Sequence, residues 1–162
     1  MFALGHLGLG KKLATRPYRR FSRAEKRGFF VGTLLPDLID KPLYYIPLWV
    51  TGNRGGFLSG THLFGHTGLF LLLLIVAAWI GHSRLLRAIA IGVATHFVLD
   101  NVGVSPDPTL LWPLLGWRFP PTPFRSLGHQ LSTILNPIIL AGELLGGAVL
   151  WWDWRKSRRA AS

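Results

Sequence analysis

Gly68-Leu-Phe-Leu-Leu-Leu-Leu-Ile-Val-Ala-Ala-Trp-Ile80 decides the fold, because it lies in a window from Gly55 to Ser83 that holds no Asp, Glu, Lys or Arg. A membrane-spanning helix needs about 20 predominantly apolar residues. Leu63 to Gly81 supplies them if His66 is tolerated, so a transmembrane helix is expected there. The run stops at Gly81-His82-Ser83-Arg84, a tight polar turn, and Leu85 to Leu99 is again apolar apart from Arg87. The two segments should pack back to back as a transmembrane hairpin of antiparallel helices. The expected fold class is therefore all-α, a multi-helix integral membrane bundle.

Composition agrees with lipid as part of the solvent. The 162 residues are 49% hydrophobic and only 15% charged, with a mean hydropathy of +0.34, seven Trp and ten Phe. Length argues for a single membrane-embedded domain over 1–162. Lys and Arg number 18 against seven Asp and Glu, and they cluster. Eight fall in a basic surface region over residues 1–30, and four more, Arg155, Lys156, Arg158 and Arg159, in a basic tail over 153–162. Such clusters suit nucleic acid or anionic lipid. Beside apolar spans the membrane lipid is preferred, and no nucleic acid is expected, since stacking motifs and zinc-finger spacings are absent. The positive-inside argument pulls both ways, because the tail and the Arg84/Arg87 turn are expected on one side and the basic N-terminal region on the side of the site. Cysteine is absent, which removes thiolate ligands, disulfides and a Cys nucleophile. In Met1 to Lys12 the charges follow the apolar stretch, unlike a cleavable signal peptide.

The hairpin also organises the chemistry. His96 and Asp100, four residues apart, share one helix face, so an imidazole nitrogen and a carboxylate oxygen can converge on one metal ion. The plain alternative is a capping Asp100 and a hydrogen-bonded core His96. His66 starts the first helix and His96 ends the second, both roughly 20 to 25 Å from the turn, so an antiparallel hairpin brings them to the same end. His62 and His66 are also four apart, but no Glu lies between them, which argues against a metalloprotease. Ser22 and Glu25 form a capping-box pattern for a helix running toward Leu35, and Pro36 should end it. Asp37 and Asp40 follow among Leu34, Leu35, Leu38 and Ile39, where carboxylates need a cation: Lys41 or a metal. His6 lies in an N-terminal helix over Met1 to about Ala14, and Thr15 to Arg23 is expected to be a basic loop.

Pro42 to Val50 reads as an aromatic interfacial segment, and Thr51 to Gly56 as a loop. Asn101 to Phe124, with six prolines, Trp112 and Trp117, is expected to form a lid or interfacial loop on the site's side. A last helix should cover about Leu131 to Trp152 and end in an aromatic girdle. Glu143 inside it is left out of the site, and His62 and His129 have no assigned role.

Together His6, Gly32-Thr-Leu-Leu-Pro-Asp-Leu-Ile-Asp40, Gly65-His66-Thr67 and Thr95-His96-Phe-Val-Leu-Asp100 resemble the YdjM-like family of membrane-bound metal-dependent hydrolases, over roughly residues 1 to 120. That family in turn is distantly similar to the all-helical zinc-dependent phospholipase C fold. The resemblance implies a metal centre drawn from His6, Asp37, Asp40, His66, His96 and Asp100. The family commonly has His-Arg-Gly-x-Thr-His-Ser, whereas here Thr61 stands where the first His would fall, with His62 one position later. The further ligands of a three-metal phospholipase site are not visible, so one or two divalent ions, zinc before others, are expected. The expected function is a phosphoesterase-like hydrolase in the bacterial inner membrane. It would act on an anionic, phosphate-containing substrate, a lipid-derived one among the candidates, through metal-activated water, with Asp37 or Asp40 as the catalytic proton acceptor. The competing expectations are a non-catalytic metal-binding membrane protein and a plain helical scaffold.

Overall fold

The structure is a computed structural model and describes residues 2–52, 58, 60–102, 107–121 and 126–159. Among these are seven α-helices and no strand: α1 (Ala3–Leu13), α2 (Thr15–Arg19), α3 (Arg23–Thr51), α4 (Gly68–Ile80), α5 (Arg84–Asp100), α6 (Leu127–Ser132) and α7 (Pro137–Arg159). Short 3₁₀ turns cover Phe64–His66, Pro108–Leu111 and Thr133–Leu135.

The starts of the helices follow local chemistry. The Ser22 hydroxyl accepts from the Glu25 N–H while the Glu25 carboxylate accepts from the Ser22 N–H, a complete capping box at the head of α3. Thr67 and Ser83 cap α4 and α5 in the same way, through the N–H groups of Phe70 and Leu86. Between these helices His82 takes a left-handed conformation, φ 47°, and turns the chain back at the expected place.

Close backbone contact sets the packing. α3 and α5 run parallel, with Gly28 beside Leu85, Gly32 against Ile89 and Gly92 against Phe29. A Cβ added to Gly32 would lie 2.2 Å from the Ile89 carbonyl oxygen, and one on Gly92 2.3 Å from that of Phe29. Only glycine lets these two backbones touch, the small-residue contact favoured where lipid supplies no hydrophobic drive. α1 runs antiparallel to α5, with Gly10 at Thr95 and His6 at Asp100. α7 lies along α1 in the same direction, from Glu143 at Gly5 to Asp153 at Lys11.

These directions give the bundle two ends of different chemistry. One collects the end of α1, α2, the start of α3, the α4–α5 turn and the end of α7, and with them the basic clusters. The other collects the start of α1, the middle of α3, the start of α4 and the end of α5. The expectation that the basic N-terminal region shares the site's side is therefore overturned: Arg84 of the hairpin turn faces Glu25 at the head of α3, 3.9 Å away.

Four more expectations change. No helix among the described residues is long and apolar enough to cross a membrane alone; α4 has 13 residues, about 20 Å against about 30 Å of hydrocarbon. Leu63 to His66 is not part of it, because the Asp40 carboxylate binds the backbone N–H groups of Leu63, Gly65 and His66 and holds that stretch out of the helix. Pro36 does not end α3, which continues through Pro36, Pro42 and Pro47 to Thr51. An interior proline costs a helix about 3 kcal/mol. Packing of the buried Pro36 against Gly65 and of the buried Tyr44 against Leu63 and Phe119 offsets that preference. The basic loop at Thr15 contains a five-residue helix, and the expected last helix is two, α6 and α7, bent by 80°. This bent pair passes the length and composition test for a membrane span. Most of the expected loop at Thr51 to Gly56, residues 103–106 and 122–124 of the expected lid, and residues 160–162 of the tail lie outside the described residues.

Candidate metal centre

Each side chain of the cluster is placed by a different element. α1 supplies His6, the middle of α3 supplies Asp37 and Asp40, the 3₁₀ turn before α4 supplies His66, and the last turns of α5 supply His96 and Asp100. His6, Asp40 and His96 are fully buried, while the side chains of Asp37 and Asp100 keep 16% and 12% exposure and form the mouth. The expected juxtaposition of His66 and His96 is present: their Nε2 atoms are 3.2 Å apart. Asp100 Oδ2 lies 3.0 Å from His96 Nε2 and 3.6 Å from His66 Nε2, and Asp37 Oδ1 lies 3.6 Å from His66 Nε2. Asp100 Oδ1 is 3.2 Å from His6 Nε2, and the His6 ring stacks on His96 at 4.0 Å.

The donor set tests whether a cation fits. His96 Nδ1 lies 2.8 Å from the Thr33 carbonyl oxygen, which can only accept, so the ring hydrogen sits on Nδ1. His66 Nδ1 likewise donates to Asp40 Oδ2, 2.7 Å away. In the neutral rings both Nε2 atoms then present lone pairs, to each other and to two carboxylates. Such a face needs positive charge in its midst. Ligands around a tetrahedral ion at bonds of about 2.0 to 2.1 Å stand about 3.3 Å apart, and the three separations among His66, His96 and Asp100, 3.0 to 3.6 Å, bracket that figure, with Asp37 3.6 Å from His66. Three overlapping sets are close enough to hold an ion: His6, His96 and Asp100; Asp37, His66 and His96; and His62, His66 and Asp100.

Asp40 faces a different task from the one expected of it. Its Oδ1 accepts from the Gly65 N–H, and its Oδ2 from the N–H groups of Leu63 and His66 and from His66 Nδ1. With those bonds made, it orients the His66 ring from behind instead of facing the cluster. Asp37 keeps Oδ1 toward His66, and its Oδ2 is bound by Lys41 Nζ at 2.6 Å, so both cations weighed for this carboxylate have a place beside it.

Two features escaped sequence reasoning. His62 does not share a helical face with His66, since Leu63 breaks the helix, yet its ring stacks on that of His66 at 4.0 Å and its Nδ1 hydrogen-bonds Asp107. Burial works against the charge of Asp107, but the hydrogen bond and charge of His62, with the Thr109 N–H, outweigh it and hold the carboxyl at about 2. This His–Asp dyad lies at the rim, and the signal for it was one of only seven acids standing in a proline-rich segment. Glu143, left out of the site, accepts from the backbone N–H groups of Phe2, Leu4 and Gly5. It caps α1 from α7 and so fixes the helix that carries His6. His82 lies in the α4–α5 turn and His129 in α6, outside the cluster.

A family model described as YdjM inner membrane protein matches residues 1–160, further than the motifs alone reach. No curated protein and no solved structure matches the chain, and the likeness to phospholipase C gains no support.

Proposed function

We propose that this chain, which belongs to the YdjM inner membrane protein family, is a membrane-bound hydrolase of phosphoesters built around a divalent metal ion, zinc first. The observation that carries the reading is the pair of Nε2 atoms 3.2 Å apart, each ring committed through Nδ1 and each facing Asp100. Asp37, His66, His96 and Asp100 would hold the ion, and His6 would steady Asp100 from its other oxygen. Bound there, the ion would supply Lewis acidity, lowering the pKa of a water and offsetting charge on phosphoryl oxygens.

The chain's own groups would do the rest. With Nδ1 held by Asp107, His62 presents its other nitrogen at the rim, the arrangement of an oriented general acid–base pair. It would take the proton-accepting role first expected of Asp37 or Asp40, because Asp40 is fully hydrogen-bonded and Asp37 is paired with Lys41, while the Asp107 carboxylate orients the His62 ring. Lys41, beside Asp37 at the mouth, would meet an anionic phosphoryl oxygen. α4 supports the membrane setting: of its side chains only Ala78 is buried, and Leu72, Leu73, Ile75, Trp79 and Ile80 are at least half exposed, an apolar face that calls for an apolar solvent.

Complete burial of His6 and His96 favours one second reading, a metal that only ties α1 to α5. Metal analysis of the detergent-purified protein beside His96→Ala and Asp100→Ala, followed by assay on phosphodiesters and phospholipids, separates the two. Metal lost in both variants together with turnover in the parent supports the hydrolase. Metal without turnover supports the structural ion. Equal metal content in all three proteins removes both readings.

A further inference from the structure

Fourteen of the eighteen Lys and Arg residues gather at one end of the bundle: Lys11 to Arg27 on α1, α2 and α3, Arg84 and Arg87 at the hairpin turn, and Arg155 to Arg159 on α7. Only two of the seven acids, Glu25 and Asp153, accompany them. The other five stand at the opposite end, at or near the metal cluster. In sequence the basic groups looked divided between two sides; the parallel run of α3 with α5, and of α1 with α7, unites them.

The seven tryptophans divide along the same axis. Trp79, Trp151, Trp152 and Trp154 ring the basic end, half-exposed or more, and the cations of Arg155, Lys156 and Arg158 lie over three of those rings at 4.9 to 5.5 Å. Trp49, Trp112 and Trp117 lie at the other end, where Trp112 packs on the cluster of Tyr44, Leu63 and Phe119. From Arg84 to Asp100 along α5 is 16 residues, about 24 Å, somewhat less than the about 30 Å of a hydrocarbon core, so the two ends are separated by most of a membrane's apolar depth. A collar of Lys and Arg backed by Trp at one level, and Trp with only Lys41 and Arg118 for cations among the described residues at the other, is the pattern of the two faces of an inner membrane.

We infer that the basic, tryptophan-ringed end seats on the anionic headgroups of the cytoplasmic leaflet, so that the His and Asp cluster opens on the opposite side and draws its substrate from there. The seating of the basic end follows from charge and aromatic placement alone, whereas the side from which a substrate comes rests on the proposed hydrolase. A substrate presented in the cytoplasm would meet the wrong end of the bundle.

The absence of cysteine makes the test clean. Single-cysteine variants Ser157→Cys, in the basic tail, and Leu114→Cys, in the loop at the site end, both alter exposed positions. Each is treated with a membrane-impermeant maleimide in spheroplasts and in inverted vesicles, and normalised to labelling in detergent. Leu114→Cys should label at least about tenfold better than Ser157→Cys in spheroplasts, with the order reversed in inverted vesicles. The opposite order, or equal labelling of the two from one side, overturns the inference. A carboxy-terminal fluorescent reporter that matures only in the cytoplasm gives a second readout on the unsubstituted chain: fluorescence is expected, and its absence from a stably inserted protein overturns the orientation. Adding His96→Ala to Leu114→Cys keeps the two questions separate, since loss of metal with an unchanged labelling pattern would leave the orientation standing.

Discussion

Asp40→Asn probes the centre most sharply, because the side chain keeps its shape and loses only its charge and one acceptor. The buried carboxylate takes four hydrogen bonds, one on Oδ1 and three on Oδ2, at 2.7 to 3.1 Å. The less costly amide orientation leaves oxygen at the three-donor position and turns NH2 toward the Gly65 N–H. Stranding that N–H costs about 2 kcal/mol, and each charge-assisted bond made neutral loses about 1 kcal/mol, so the ceiling is about 5 kcal/mol. Bonds that share one oxygen are not additive, and about 3 to 4 kcal/mol is the expected loss. For a chain of 162 residues this is about 10 °C in Tm. The freed His66 ring should also weaken metal binding about 10- to 100-fold, the range for loss of an outer partner of a ligand.

Thermal melting in detergent and a zinc titration against a competing chelator measure both quantities. A variant that melts within about 2 °C of the parent and binds zinc equally well would refute the assignment of Asp40 as the group that aims His66. A drop in affinity far beyond about 100-fold would instead place it among the ligands.

Gly92→Ala should destabilise the bundle by about 3 kcal/mol or more without removing any polar side chain, because its methyl carbon would meet the Phe29 carbonyl oxygen at 2.3 Å; a melting curve checks it. Glu143→Gln should lower Tm by several degrees and reduce metal content in proportion to the disorder of α1, read by metal analysis beside hydrogen exchange of the amides at Leu4 and Gly5. Asp107 is held at about 2 in the fold against about 3.9 in an unfolded chain, so its contribution is fully present above about pH 4 and is lost as pH falls toward 2. In Asp107→Asn that part of the acid-induced loss of stability should vanish, which unfolding curves between pH 5 and 2 would reveal.

Much of this centre was legible because helical spacing constrains it. The i, i+4 relation of His96 and Asp100, and the hairpin that brings His66 to the same end, need only a rise per residue and a turn. The capping box at Ser22 and the turn at His82 were legible for the same reason, being local. What escaped was non-local. The continuation of α3 through three prolines depends on what packs against Pro36 and Tyr44, and Glu143 acts on a helix 138 or more residues away in sequence. The gathering of the basic clusters at one end required knowing that α3 and α5 run parallel, which rests on glycine contacts that no hydropathy pattern announces.

Residues 61–67 show why two expectations from the same sequence could not both hold. A transmembrane helix starting at Leu63 would commit the His66 N–H to the His62 carbonyl, while the Leu63 and Gly65 N–H groups would stay among the unbonded donors of its first turn. Asp40, fully buried on α3, would then lose the His66 backbone donor, one of the four groups that satisfy it, in an interior where an unmet hydrogen bond is costly. The observed structure resolves the conflict by shortening the helix. The chain stays irregular to Leu63, makes one 3₁₀ turn and begins α4 at Gly68, so the carboxylate is satisfied and His66 is turned toward His96. The apolar run was long enough for a span by composition. The buried acid 23 to 26 residues upstream decides that its first turn serves the cluster instead.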